Sequence, residues 1–347
     1  MRVFKSIFFK RNPAWLFAAA CIGLAACTDT TGPDKPKPVV EIPHGFPPIE
    51  TPGDNPITEA KFQLGRYLFY DTRLSADNSV SCASCHKQEA AFADAGKMVS
   101  RGVGNEAGFR NSPGLSNSAY VSPLFWDGRA HTIEAQALAA MMSPAEMYAD
   151  TTAITARLKA DENYQTRFKN VFKSEPNTGD AVKAIATFVR ALVSGESRFD
   201  TFKKGNTSVF SESEKRGHDL FFSERTRCGS CHEGFNFTDN KFHSVGLHTH
   251  YADRGRYDVT KLGVDIGRFK TPSLRNVGLT APYMNDGLLP TLESVVRHYN
   301  MGGKPFINKD TLIQPLNLTA QEQADLVAFL KTLTDENFVK NPRFKKP

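Results

Sequence analysis

Tryptophan and cysteine are scarce in this chain, with two of the former and six of the latter among 347 residues. The apolar run from Ala14 to Ala26 falls short of the roughly 20 residues a bilayer-spanning helix needs, so it is not read as a membrane span. Period-two alternation of apolar and polar residues is also rare, which argues against a sheet protein. No clustered basic face of the kind nucleic acid requires is visible. Arg2, Lys5, Lys10 and Arg11 supply most of the apparent basicity, and the rest of the chain carries 39 Lys and Arg against 37 Asp and Glu, a formal charge of +2. Unassigned thiols are missing too: Cys21 lies in the first apolar segment, Cys27 at its end, and the other four form two Cys-x-x-Cys-His units. What the chain has in quantity is phenylalanine, 26 residues, enough to wall large apolar pockets.

Basic residues ahead of a short apolar run read as an export signal over residues 1–26. It closes on Leu24-Ala25-Ala26-Cys27, which resembles the bacterial lipobox, where cleavage precedes the cysteine and lipid is attached to it. A plain secretory signal with an incidental cysteine is the alternative. Thr28 follows instead of Asp, so the resemblance implies a periplasmic protein anchored through lipid on Cys27 to the outer membrane. Residues 27–57 carry prolines every few positions and no apolar period, which predicts an extended, semi-rigid tether holding the body away from the membrane.

Thr58 is placed to cap a helix through Phe62, Leu64, Leu68 and Phe69. The order helix, Gly, Leu-Phe, loop, Cys-x-x-Cys-His in residues 59–86 returns in residues 211–232, so one supersecondary unit is present twice and a duplicated domain is expected. Helical segments are predicted around 132–142, 151–172 and 180–193, and Thr319 with Glu322 marks the start of another. The stretch KKGNTSVFSES is a sensible boundary, giving domains at 58–205 and 206–347 in an all-α protein.

Cys82-Ala83-Ser84-Cys85-His86 and Cys228-Gly229-Ser230-Cys231-His232 match the attachment signature of a c-type haem. Two cysteines one helical turn apart reach both vinyl groups of one porphyrin, and the adjacent histidine then faces the iron. One zinc ion held by all four cysteines is the competing reading, disfavoured because histidine follows both pairs in an exported chain.

Around these units the phrases LGRYLFYDTRLSADNSVSCASCH, LFWDGRA, FKTPSLRNVGLTAPYMNDG, TLESVVRHYN and LVAFLKTL resemble the dihaem cytochrome c peroxidase/MauG family over residues 58–335. The resemblance implies two c-type cytochrome domains packed face to face, with two covalent haems. Peroxide chemistry belongs to the first and electron transfer to the second. It implies hydrogen peroxide as substrate and a small donor, a cytochrome c or cupredoxin, as partner. MauG-like oxidation of a partner protein and a non-enzymatic dihaem carrier are the alternatives; a homodimer is a further expectation.

No histidine occurs between His86 and His131, although peroxidases of this family commonly carry one in the loop corresponding to SRGVGNEAG. Met98 is the nearby soft-ligand candidate, and an open iron is the stronger expectation. Gln136 and Glu146 match the family's distal glutamine and glutamate by their spacing from FWDGRA. Glu146 has a second reading, because Ser143-Pro144-Ala145-Glu146 looks like a helix-capping box. For the second iron, His232 is one ligand. Tyr299, Met284 and Met301 are candidates for the other, with Tyr299 preferred because it shares a helical face with Leu292, Val295 and Val296. Trp126 matches the tryptophan between the two haems. Asn111, with the carbonyls of Thr280 and Pro282, matches a calcium site between the domains.

Overall fold

The computed structural model describes residues 38–347; the export signal, Cys27 and the tether up to Lys37 lie outside the described residues. Among them are the helices α1 (Glu59–Phe69), α2 (Cys82–Cys85), α3 (Ile133–Met142), α4 (Thr151–Lys159), α5 (Glu162–Phe172) and α6 (Thr178–Arg190). There follow α7 (Arg198–Lys203), α8 (Glu212–Phe221), α9 (Tyr257–Thr260), α10 (Leu292–Asn300), α11 (Ala320–Lys331) and α12 (Glu336–Lys340). Two antiparallel two-residue strands, β1 (Phe242–His243) and β2 (Phe269–Lys270), are the remaining regular pairing. No helix here is long and apolar enough to cross a membrane.

The expected helix starts are built as the sequence indicates. Thr58 accepts from the amide of Lys61, and Thr319 forms a reciprocal capping box with Glu322. The segment 151–172 is two helices, because the Asp161 carboxylate accepts from the amides of Asn163 and Tyr164 and starts α5 anew.

Helix pairing shows that the duplication runs deeper than its cysteine motifs. α1 crosses α6 and α8 crosses α11, in each case through a glycine at the crossing point. A Cβ on Gly65 would overlap the carbonyl of Ala184, and one on Gly217 would overlap that of Asp325. Asn117 and Asn276, both in the left-handed region (φ 61° and 63°), close matching loops onto the carbonyls of Leu192 and Leu333.

Buried side chains fall into two clusters. The first is built around Phe62, Phe69, Phe92 and Phe188, the second around Phe199, Phe221, Phe237 and Phe329. Their membership crosses the boundary expected at residue 205. Phe199 of α7 belongs to the second cluster. Phe338 and Phe344, from the far end of the chain, belong to the first, with Phe338 5.8 Å from Phe92 and Phe344 6.5 Å from Phe62. The last segment therefore leaves α11 and returns to the first half, where the Tyr70 hydroxyl donates to the Phe344 carbonyl at 2.8 Å.

The tether expectation fails for residues 38–57. Prolines keep this stretch extended, but it lies on the body. Phe46 packs between Tyr120 (5.9 Å) and Phe235 (4.5 Å) under the guanidinium of Arg275. Asn55 is 1% exposed and donates to Glu134 and to the Lys183 carbonyl. Its apolar residues are too few to show a period; Phe46 fills a groove, whereas Ile42 stays 41% exposed.

Candidate functional site

Both Cys-x-x-Cys-His units end a single tight turn, α2 in the first half and a 3-10 turn, Cys228–Ser230, in the second. The His86 amide donates to the Cys82 carbonyl and the His232 amide to that of Cys228, each at 2.9 Å. Each ring is held from behind by a phenylalanine carbonyl. His86 Nδ1 is 2.6 Å from Phe92 O, and His232 Nδ1 is 3.0 Å from Phe237 O, both phenylalanines having positive φ. A carbonyl can only accept, so Nδ1 carries the proton and the Nε2 lone pair is left for a metal. Burial pushes both imidazoles below their ordinary range, which keeps them neutral as an iron ligand must be.

The four cysteines are free. Burial pushes the thiols of Cys82 and Cys228 up to about 12 and about 11, so they are poor thiolate ligands. They do not converge on one point either. Among the described residues, the group close enough to share an ion is Cys231, Asp239 and His243, so the four-cysteine zinc reading has no geometric support. Thiols beside neutral, back-braced histidines in an apolar setting fit covalent attachment of haem.

A cavity of about 290 Å³ draws its wall from both halves: Pro113, Trp126 and Gln136 from the first, His232, Pro272 and Tyr299 from the second. Tyr299 is half-buried on the cavity wall, its hydroxyl makes no hydrogen bond among the described residues, and desolvation raises its phenol well above the usual tyrosine range. Met284 is also on the wall, whereas Met301 is 63% exposed and off it. Trp126 donates from Nε1 to the Asn111 carbonyl (2.8 Å), and its own carbonyl accepts from Lys270 N (2.8 Å), so it joins the halves through main chain.

α3 and α10 start on equivalent caps, Thr132 and Thr291. Two turns on, α10 presents Tyr299 and α3 presents Ala140. The helix that brings a phenol to the second cofactor site thus brings a methyl group at the matching place of the first. Gln136 likewise stands where α10 has Val295.

A model of the di-haem cytochrome c peroxidase family matches residues 59–208. The cytochrome-c peroxidase IdrP1 of Pseudomonas sp. (strain SCT) is 36% identical over 358 residues, covering 93% of each chain. This chain belongs to the di-haem cytochrome c peroxidase family. The methylamine utilization protein MauG of Methylorubrum extorquens is 39% identical, covering 83% of this chain and 82% of that one. The crystal structure of a MauG-like protein associated with microbial copper homeostasis superposes with a TM-score of 0.85 at 40% identity, over 88% of this chain and 98% of that one.

For this peroxidase-family chain the capping-box reading of Glu146 is overturned. Ser143 ends α3, residues 144–147 form turns, and the next helix starts only after the Asp150 cap. Pro144 and Glu146 serve a turn closed by the Glu146 amide on the Ser143 carbonyl, 3.0 Å. The loop SRGVGNEAG seals it: Val103 N donates to Glu146 O at 2.8 Å, and a Cβ on Gly102 would strike the carbonyls of Ala145 and Glu146. Burial raises the Glu146 carboxyl above its ordinary 4.5, and its field reaches Cys82 and Cys85, although Glu146 does not line the cavity that Gln136 does. Met98 is half exposed, and its carbonyl accepts from the Asn111 amide.

Two features escaped sequence reasoning. His243 has a carboxylate at each ring nitrogen, Asp310 at 2.6 Å and Asp239 at 3.0 Å, and lines the cavity with Asp310. Burial lowers Lys270, also on the wall, to about 8. The TP-x-L-x-N motif that follows Lys270 was the available signal for it; nothing in the sequence pairs His243 with Asp310.

Proposed function

We propose that this protein is a dihaem peroxidase that reduces hydrogen peroxide to water at the His86 haem, with electrons from a small periplasmic redox protein. The observation that carries this reading is Ala140 standing where the second half has Tyr299, so that α3 would offer no ligand to a haem held by His86. Bound haem supplies the redox chemistry that cleaves the oxygen–oxygen bond and holds the oxidising equivalents.

The chain's own groups do the rest. Glu146, raised by burial, takes the proton from the near peroxide oxygen and returns it to the leaving oxygen. Gln136 would orient the peroxide by hydrogen bonding; it stands on α3, on the wall of the cavity that His232, and not His86, lines. His86 and His232 are held as neutral ligands by the Phe92 and Phe237 carbonyls. Tyr299, whose hydroxyl makes no hydrogen bond among the described residues, would be the second iron's other ligand, and a ferric ion would favour its phenolate and so oppose the effect of burial. Trp126 lies on the wall of the cavity that His232 lines, where it would couple the two haems. Two electrons and two protons are consumed for each peroxide and two waters leave.

The reading extends to two face-to-face cytochrome domains and to a lipid anchor at Cys27 in the outer membrane. It also includes calcium at Asn111, Thr280 and Pro282. Among the described residues, Asn111 Oδ1 and the carbonyl oxygens of Thr280 and Pro282 accept no protein hydrogen bond, and all three residues line the same cavity.

MauG-like oxidation of a partner protein is the second reading, favoured by Tyr299 on the cavity wall and by the identity to proteins of that name. Electron paramagnetic resonance of the ferric holoprotein tests both. A high-spin signal abolished by stoichiometric peroxide is expected, and two low-spin, unreactive haems would sink the enzyme reading. Rapid reduction of the peroxide-treated protein by a reduced small cytochrome favours the first reading over the second.

A further inference from the structure

Four side chains on the wall of the cavity that His232 and Tyr299 line can carry a positive charge: Arg227, His243, Lys270 and Arg275. Arg275 is bound to Asp200 at 2.6 Å and to the Phe235 carbonyl, His243 is held between Asp310 and Asp239, and the half-exposed Arg227 lies 3.8 Å from Glu224. Lys270 makes no side-chain hydrogen bond or ion pair among the described residues. The carboxylate on the same wall, Asp310, is taken up by His243 at 2.6 Å and by the Leu312 amide at 2.9 Å. Desolvation without a partner lowers Lys270 to about 8, and an ammonium in that state is costly until an anion meets it.

The duplication shows what stands at the same place in the other half. Asn117 corresponds to Asn276, and the bridge Leu124–Ala130 corresponds to Tyr283–Leu289. Six residues before the two asparagines lie Asn111 and Lys270, and nine residues after them lie Trp126 and Asn285. The seam between the halves is built twice on this correspondence: Asn111 N donates to the Asn285 carbonyl and Lys270 N to the Trp126 carbonyl, each at 2.8 Å. Lys270 is thus the counterpart of Asn111, as Val121 and Pro123 are of Thr280 and Pro282. Where one side of the seam offers three oxygen acceptors, the other carries an ammonium. Lys270 Nζ donates to neither the Val121 nor the Pro123 carbonyl, so among the described residues the chain supplies it with no ligand.

We propose that Lys270 is the anion-binding residue of the second cofactor site and that its ligand is a carboxylate carried by the cofactor itself, a propionate of the haem held by Cys228, Cys231 and His232. The inference rests on a haem at that unit and not on peroxide turnover at the other. On this side of the seam the tethered ammonium supplies the positive charge that Asn111, Thr280 and Pro282 would take from calcium, and by repulsion it discourages a second divalent ion beside Val121 and Pro123. Its main chain holds Trp126 while its side chain holds the cofactor, so one residue sets the distance between the two. A cation paired with the cofactor also favours the ferrous state, which carries one positive charge fewer than the ferric.

The test uses the full-length holoprotein with the variants Lys270→Met and Lys270→Arg, in the absence of peroxide. Redox titration followed by visible and electron paramagnetic resonance spectra separates the two haems, and reduced-minus-oxidised infrared spectra read the propionate carboxylates. Lys270→Met breaks no side-chain hydrogen bond or ion pair among the described residues, so it should fold with its full haem content. It should lower the potential of the second haem, leave that of the first nearly in place and shift the propionate bands. Lys270→Arg should restore both signals, because the charge is kept. An unchanged second potential in Lys270→Met would overturn the inference. So would Lys270→Arg behaving like Lys270→Met, which would make the side chain a space filler. A native potential that moves with added chloride or phosphate while the propionate bands stay still would give the ammonium to a free anion and overturn it as well. Failure to consume peroxide would defeat the peroxidase reading alone, since none of these measurements uses it.

Discussion

On the proposed reading, Glu146 and Ala140 are the residues on which the first site would turn. Burial raises the Glu146 carboxyl, so its proton is held to a higher pH than the ordinary 4.5. A base must first be ionised; activity should therefore rise with pH along a limb lying above the usual glutamate range. Glu146→Gln should erase that limb and lower kcat by about 10²- to 10⁴-fold, read from pH profiles of peroxide turnover. The same substitution should leave the haem spectra alone, because Glu146 is held by the Gly102–Val103 loop and not by the cofactor turn. Ala140→Met tests the vacancy from the other side. Methionine there should close the first iron, convert the high-spin ferric signal to low-spin and abolish the reaction with peroxide, while thermal stability stays close to native.

Helix crossings come next in scale. Gly65 and Gly217 let α1 meet α6 and α8 meet α11 at backbone distance, so Gly65→Ala and Gly217→Ala should each cost about 1–3 kcal/mol or more by overpacking. Gly53, where an added Cβ meets nothing, is the control and should be neutral in the same denaturant titration. These crossings also show what was legible. The glycine before each Leu-Phe stands out in both copies of the repeat, and the apolar faces of α1, α10 and α11 followed from spacing alone. The sequence motifs also brought His86 and His232 to equivalent places. The alternative reading of the Glu146 turn as a helix start rests on Ser-Pro-Ala-Glu satisfying the local capping chemistry, whereas the loop that claims its backbone, Gly102–Val103, lies far earlier in the chain. Periodicity says which side chains are buried, but not which core receives them. That is why Phe338 and Phe344 were assigned to the second half, and why Phe46 and Asn55 were read as part of a free tether.

Whole-molecule stability depends on how the two halves are joined. Main chain from both meets at Asn111, whose amide N–H donates to the Asn285 carbonyl at 2.8 Å, while its side-chain Nδ2 donates to Lys97 and Met98. With both donors committed, Oδ1 is left to accept; Thr280 and Pro282 line the same cavity, and their carbonyls accept no hydrogen bond among the described residues. Buried acceptors in that state are costly unless water or a cation completes them. Oxygen donors from the two halves suit calcium, which takes six to eight oxygens and tolerates irregular geometry. A cation there would bind the joined halves better than the separated ones, and so would stabilise by mass action. Chelation should lower the melting temperature of the native holoprotein, and calcium should restore it. Asn111→Ala should melt lower than native in calcium and lose most of its response to chelator. Because Asn111 also receives the Trp126 indole N–H through its carbonyl, removing the cation should also loosen Trp126, seen as a shift in its emission. An unchanged melting temperature with chelator, together with unshifted emission, would rule the cation out and leave water as the completing ligand.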